Sequence, residues 1–363
     1  MDNTLLQQLA PLRDEIDAVD AQLLELINRR ARLAQRVGEV KHAAGGADAV
    51  VLRPEREAQL VRRLQALNDG PLPADSVRAI WVEVISACRG LESGLSVAYL
   101  GPEGTYSEMA ALAHFGHAIQ ARPYPSIDAV FRAVETGETD MGIVPVENST
   151  EGAVNRTLDL FLASPVKITG EHSLKIHQCL MTQSGTLDGV TRVLAHPQSL
   201  AQCHGWLNQH CSELGREAIS SNAEAARQAS LDPTVAAIAG EAAARKWGLQ
   251  LVAAGIQDDP HNRTRFVAIG HDETPPSGHD ITSLILAVPN RAGAVYEMLQ
   301  PLAENGVSMN RFESRPARTG QWEYYFFTDL VGHRDDPPMA RALEGLQSRA
   351  AYFKVLGSYP AQP

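Results

Sequence analysis

The chain has 363 residues, more than one ordinary hydrophobic core organises, so two or three domains are expected. Hydrophobic residues make up 44% and charged residues 21%, as in a globular protein, and the formal net charge of −11 argues against broad nucleic-acid or anionic-membrane binding. Residues Met1 to Leu12 lack the basic start and apolar run of a signal peptide, no stretch approaches the ~18 apolar residues of a membrane helix, and Cys88, Cys179, Cys203 and Cys211 show no framework spacing. The expectation is a cytoplasmic protein with reduced thiols, and with neither nucleic acid nor membrane as partner.

Residues 1 to about 92 read as all-helical. Ile16, Val19, Leu23, Leu26, Ile27, Leu33, Val37 and Val40 recur at helical spacing, which predicts one helix of roughly 35 residues ended by Gly45-Gly46. A second helix is predicted from about Pro54 to Leu67, with proline suited to the first turn. A third runs from about Asp75 to Glu92, capped by Asp75 or Ser76. Arg30 and Lys41 lie eleven residues apart and share a helix face. Such charges are usually solvated.

The order of residues here resembles the all-helical chorismate mutase domain fused to bacterial bifunctional enzymes of phenylalanine synthesis. The match runs through Leu12-Arg13-Asp14-Glu15-Ile16-Asp17, the Arg30, Gly38, Lys41 series and Arg53-Pro54-Glu55-Arg56-Glu57. It implies substrate contacts at Arg13, Arg30, Lys41, Arg53, Arg56, Glu57, Cys88 and Glu92. Arg53, Cys88 and Glu92 stand where an aspartate, a serine and a glutamine can occur. Chorismate carries two carboxylates, which arginines bind in a bidentate fashion, giving Arg13 and Arg30 that role and Glu57 the substrate hydroxyl. Its rearrangement to prephenate needs no nucleophile, only a held conformer and donors where charge grows on the ether oxygen. Lys41 and Glu92 are expected there as the catalytic pair. A carboxylate cannot donate, so Glu92 must carry a proton to serve. Arg13 and Lys41 are 28 residues apart on one helix, about 42 Å, so both can touch one chorismate only in an intertwined dimer.

Residues 95 to 272 alternate strand and helix. Strand ends meet polar loops at Gly101-Pro102-Glu103-Gly104-Thr105-Tyr106-Ser107, at Glu147 to Asn155 and at Ala195 to Ser199. Met141–Val146 is the strand that runs into the second of these loops, Val235–Gly240 repeats the design, and Asn262-Arg263-Thr264-Arg265-Phe266 enters another strand. Alternation sends Thr264 and Phe266 to one face and Arg265 to the other. Two α/β lobes with a cleft between them fit this layout. Cys203-His204 and His210-Cys211 imitate a metal-ligand spacing but read as packing, so neither metal nor cofactor is expected.

These pieces, with Gly-Ile-Val-Pro-Val-Glu-Asn-Ser at 142–149 and His196-Pro197-Gln198 to Gln202-Cys203, resemble prephenate dehydratase. The resemblance implies that Thr264 is essential and that Asn148 and Gln202 bind substrate; Ala195 stands where a serine is common. Prephenate loses its ring hydroxyl and carbon dioxide together, so the enzyme must help hydroxide leave as water. Thr264 can donate or relay a hydrogen bond. Arg265 either holds a substrate carboxylate or braces its strand, and Glu147 enters as proton donor by sequence proximity alone.

Asp272 to Gly278, with Pro275-Pro276, reads as a linker. Strands at about Ile281–Val288, Val307–Ser314, Trp322–Val331 and Tyr352–Gly357, with helices at about Gly293–Glu304 and Pro338–Gln347, form a ferredoxin-like pattern. It resembles an ACT regulatory domain, and Gly293-Ala294-Val295-Tyr296 and Glu313-Ser314-Arg315-Pro316 match its phenylalanine-binding motifs. The effector residues implied are Gly293, Ala294, Val295, Glu313, Ser314, Arg315 and Pro316.

The reading is therefore a multidomain enzyme. It has an all-α mutase domain at 1–92, a two-lobed α/β dehydratase domain at 95–272 and an α+β ACT domain at 279–363. Chorismate, prephenate and phenylalanine are its ligands, and a homodimer or higher homo-oligomer its assembly. An amino-acid sensor, or an enzyme with one decayed centre, are the alternatives. Forming phenylpyruvate from chorismate would exclude both.

Overall fold

The computed structural model describes residues 3–45, 52–288, 291–316 and 324–362. Helix α1 (Asn3–Gly45) has 43 residues, longer than predicted, because it begins upstream of the periodic residues and runs through Pro11. Gly46, the second glycine of the predicted stop, lies outside the described residues. Helices α2 (Pro54–Leu67) and α3 (Ala74–Gly90) pack on each other, and Val61, Val77 and Ile85 are buried. The cap expected at Asp75 or Ser76 is not used: α3 starts one residue earlier, behind Pro73, with no side-chain cap. The apolar stripe of α1 stays open in the single chain, with Ile16 59%, Leu23 50% and Leu26 58% exposed.

The first lobe contains β1 (Leu95–Leu100), α4 (Tyr106–Phe115), β2 (Ile119–Tyr124), α5 (Ile127–Glu135), β3 (Met141–Asn148), β4 (Gly152–Ala153), α6 (Asn155–Ala163) and β5 (Lys167–Lys175). The second contains β6 (Cys179–Thr182), β7 (Arg192–Ala195), α7 (Pro197–Gln202), α8 (His204–His210), β8 (Gly215–Ala218), α9 (Asn222–Ala229), β9 (Val235–Ala239), α10 (Glu241–Trp247) and β10 (Gln250–Ala254). The chain then returns to the first lobe as β11 (Arg263–Gly270), giving sheet orders β2-β1-β3-β11-β5 and β10-β6-β9-β7-β8. The lobes are thus joined by two crossings, and the polar loops at their strand ends face each other. Cys203 and Cys211 lie in the apolar core of the second lobe, whereas His204 and His210 are exposed on α8.

The C-terminal unit follows as β12 (Asp280–Ala287), α11 (Ala294–Glu304), β13 (Met309–Pro316), β14 (Tyr324–Val331), α12 (Pro337–Arg349) and β15 (Tyr352–Pro360), with sheet order β13-β14-β12-β15. The start of the predicted Trp322–Val331 strand lies outside the described residues. One face of this sheet packs on the first lobe: Ile281, Ile285, Phe327, Leu356 and Tyr359 share a core with Val144, Val267 and Ile269. A β-carbon on Gly357 would collide with the Ile168 carbonyl, so glycine there lets β15 approach β5 closely. Lys354 of β15 donates to the Phe161 carbonyl at 2.7 Å and the Ser164 carbonyl at 2.6 Å, closing the C-terminus of α6.

Residues 272–278 are not a free tether, which corrects the linker reading. Thr274 and Ser277 are buried, and the Thr274 carbonyl contacts His333 Nε2 at 2.9 Å. Arg62 of α2 donates to the Ser277 carbonyl at 2.6 Å. The two prolines restrict the backbone, and contacts from both sides hold it.

Candidate active sites

In the helical unit, residues 30–41 of α1 run beside residues 84–92 at the end of α3. Arg30 Nη1 donates to the Val84 carbonyl at 3.4 Å, and Lys41 Nζ lies 3.5 Å from Glu92 Oε2. Gly38 makes room for Glu92: a β-carbon on it would come 3.2 Å from Glu92 Cγ. Cys88 is buried one turn before Glu92. Glu57 on α2 accepts a 2.6 Å hydrogen bond from Arg89. Burial pushes the Glu57 carboxyl above its ordinary range, against the pull of Arg89 and of Arg30. The structure therefore brings Arg30, Lys41, Glu57, Cys88 and Glu92 to one side of the helices.

Arg13 does not join them. It is exposed, 17 residues upstream of Arg30, about 26 Å along the helix. Arg53 is exposed and turned to Glu55, with 2.7 Å between them, and Arg56 is exposed. Sequence reading missed Arg89, since a basic residue in a last helical turn ordinarily faces solvent. Here it is 5% exposed, and its other end donates to the Phe115 carbonyl of the next domain.

Glutamine at position 92 keeps an amide donor, whereas alanine removes every polar atom there. Glu92→Gln should therefore retain mutase turnover while Glu92→Ala lowers it, with dehydratase turnover unchanged in both. Unaltered mutase turnover in Glu92→Ala would remove Glu92 from the site.

The second site is the cleft of about 970 Å³ between the two lobes, where Thr264, Asn148, Gln202, Tyr106 and Asn222 meet. Thr264 on β11 is the register partner of Asn148 on β3. The Asn148 amide donates to Thr264 Oγ1 at 2.8 Å and to Asn262 Oδ1 at 3.0 Å, and its oxygen accepts from the Thr150 hydroxyl at 2.6 Å. Gln202 of the second lobe reaches Thr150 Oγ1 at 3.1 Å, so a polar chain spans the cleft. Among the described residues, Thr264 Oγ1 only accepts, which leaves its proton free for a ligand.

The N-termini of α4 and α9 border the cleft through Thr105-Tyr106 and Ser221-Asn222, a field that favours an anionic ligand. Ala195 is buried in core; the hydroxyl on this side comes from Ser199, one turn on, which accepts from Gln178 at 3.0 Å and Asn222 at 2.7 Å. Gln178 and Asn222 were missed by sequence reading. Their signal was there: one directly precedes β6 at a lobe crossing, the other opens α9 behind the polar pair Ser220-Ser221.

Arg265 and Glu147 lie on the other face of this sheet. Arg265 donates to Glu171 at 2.9 Å, to Asp329 at 2.6 Å and to the Tyr359 hydroxyl at 3.0 Å. Of its two roles left open, its contacts are those of a brace. Glu147 Oε2 lies 3.1 Å from Arg311, away from the Thr264 cleft, which removes it as proton donor.

In the C-terminal unit, Ala287 pairs with Tyr325 and Tyr325 with Arg315, so the two effector motifs lie at the same end of one sheet. Gly293 caps α11 at φ 80°, a left-handed conformation that glycine adopts without strain. Ala294 is buried, while Val295, Ser314 and Pro316 are exposed and Glu313 is half-buried. Arg315 is buried and turned to Asn155 and, at 2.8 Å, Asp159 of α6.

A helical site with a lysine–glutamate pair, a polar cleft between two α/β lobes and a βαββαβ unit define a multidomain enzyme with two centres and a regulatory module. The sequence matches the families described as Chorismate mutase type II at residues 12–93, Prephenate dehydratase at 97–274 and ACT domain at 282–347. It is 49% identical to the bifunctional chorismate mutase/prephenate dehydratase of Neisseria gonorrhoeae, over 99% of each chain. It is 48% identical to that of Pseudomonas aeruginosa, over 97% of this chain and 98% of the other. Among solved structures, prephenate dehydratase from Arthrobacter aurescens in complex with L-Phe aligns with a TM-score of 0.68 at 32% identity, covering 74% of this chain and 92% of that one. The chain belongs to the family of bifunctional chorismate mutase/prephenate dehydratases.

Proposed function

We propose that the chain carries chorismate through two consecutive reactions and that phenylalanine inhibits it through the ACT domain. The division into domains at 1–92, 95–272 and 279–363 goes with this reading. In the mutase, Arg30 holds a substrate carboxylate, and Lys41 and Glu92 donate to the ether oxygen as its bond to the ring breaks. Glu57 takes the ring hydroxyl. Arg13 arrives from a second copy of the chain, whose α1 covers the open apolar stripe. No helix among the described residues is long and apolar enough to cross a membrane.

In the dehydratase, prephenate lies between the lobes with its C4 hydroxyl against Thr264. The bond from C1 to the departing carboxylate supplies the electron pair that completes the ring, and the C4–O bond breaks. Carbon dioxide leaves, and the hydroxide leaves as water once protonated. Thr264 stabilises that oxygen as a donor, because Asn148 already occupies its acceptor side. Asn148 fixes the hydroxyl, and Gln202 closes the second lobe over the substrate.

The observation that carries the reading is the Thr264–Asn148 pair in a two-lobed cleft on the same chain as the Lys41–Glu92 pair. Supplying chorismate alone and following phenylpyruvate tests it. Product formation, suppressed by added phenylalanine, is the expected result. Prephenate accumulating without phenylpyruvate would reject the second activity, and no consumption of chorismate would reject the first.

A further inference from the structure

The Thr264–Asn148 pair on β11 and β3 lies back to back with a second set of contacts. Thr264 and Asn148 are register partners facing the cleft. The next pair in the same register, Arg265 and Glu147, emerges on the opposite face, as strand alternation requires. There each meets an oppositely charged residue of the ACT sheet. Arg265 bonds Asp329 of β14 at 2.6 Å and the Tyr359 hydroxyl of β15 at 3.0 Å. Glu147 faces Arg311 of β13 at 3.1 Å. Asp329 and Tyr359 are themselves fixed by Ser283 of β12, whose hydroxyl lies 2.7 Å from that of Tyr359. Asp329 is 5%, Ser283 3% and Tyr359 0% exposed, so this side of the clasp is rigid and shielded.

The Arg311 side is looser. Its Nε and Nη2 are buried yet make no aligned hydrogen bond, although Glu147 is near. The contacts surround a polar cavity of about 350 Å³ that also reaches Asn310 and Arg263, which leaves room for Arg311 to rearrange. Arg311 and Arg315 lie on one face of β13, with Glu313 of the effector motif between them. Arg315 holds α6 of the first lobe through Asp159 at 2.8 Å. A shift of β13 at its effector end therefore acts on the strands that carry Asn148 and Thr264.

We propose that the ion pairs Arg265–Asp329 and Glu147–Arg311 are positioning contacts through which the ACT domain sets the Thr264–Asn148 geometry. Effector occupancy is then expressed as a change in dehydratase kcat. This second clause rests on phenylalanine being the effector; the first does not. Arg265 acts through Thr264 and does not touch substrate, so its loss lowers kcat and spares KM. A merely structural pair would lower stability and both activities together.

The test uses the full chain and a double-mutant cycle. Arg265→Gln and Asp329→Asn are each expected to lower dehydratase kcat about tenfold with KM within about twofold, and the double variant should be no worse than the poorer single one. Mutase turnover of the same preparations should be unchanged, which reports that the variants fold. Arg311→Gln, at the looser side, should still bind phenylalanine by calorimetry while its kcat responds about fivefold less to saturating phenylalanine. Additive losses in the cycle, a rise in KM with constant kcat, or parallel loss of mutase activity would overturn the proposal. The cycle is run without effector, so a wild-type enzyme indifferent to phenylalanine would sink the effector reading alone.

Discussion

Thr264→Ala is expected to lower dehydratase turnover by about 10²–10⁴-fold, the range that one positioned proton donor contributes. The hydroxyl accepts from Asn148 at 2.8 Å, so its own proton is directed away from that amide and toward the cleft. Alanine removes the donor and leaves the Asn148 amide facing a gap. Thr264→Ser keeps the hydroxyl and should retain most activity, whereas Thr264→Val, of equal size, should behave like alanine. Mutase turnover should stay within about twofold in all three, because additivity holds for distant sites and Thr264 lies on β11, outside the helices that carry Lys41 and Glu92. Steady-state assays of both reactions on one preparation decide the matter. Equal loss of both activities would refute the separation.

Arg13→Ala and Lys41→Ala should each abolish mutase activity, and unfolding and refolding the two together should restore about one quarter of it. Half of the randomly paired dimers are mixed, and in each mixed dimer one of two symmetric sites receives both native residues. The exposed face of α1 motivates this expectation. Leu12, Ile16, Val19, Leu23 and Leu26 lie 50% or more exposed along α1, an apolar stripe too long to leave in water. Covering it with the α1 of a second chain buries the stripe and brings an Arg13 toward the distant Lys41. Failure of the mixture to regain activity, or full activity in a monomer, would end the dimer reading.

Much of this was legible in the sequence because it depends on local order. The helical period of residues 16–40, the strand–loop–helix repeats from 95 to 272 and the βαββαβ pattern after 279 each follow from spacing that neighbouring residues share. Glycine at 38 and threonine at 264 stand in motifs whose chemistry can be stated without coordinates. The opposite facing of Thr264 and Arg265 also follows from strand alternation alone.

What covers each face does not follow. Arg265 offered a carboxylate clamp or a brace, and only the packing of the ACT sheet against the first lobe brings Asp329 and Tyr359 to it. The same holds for Glu147, Arg89, Gln178 and Asn222, whose partners lie tens to hundreds of residues away. Residues 272–278 look like a tether by composition, yet contacts from α2 and His333 hold them. Sequence alone determined the main elements and their order, since these rest on backbone preference and short-range periodicity. Tertiary structure alone decided which charges are buried and with whom, because burial and ion pairing depend on surfaces brought together from distant parts of the chain.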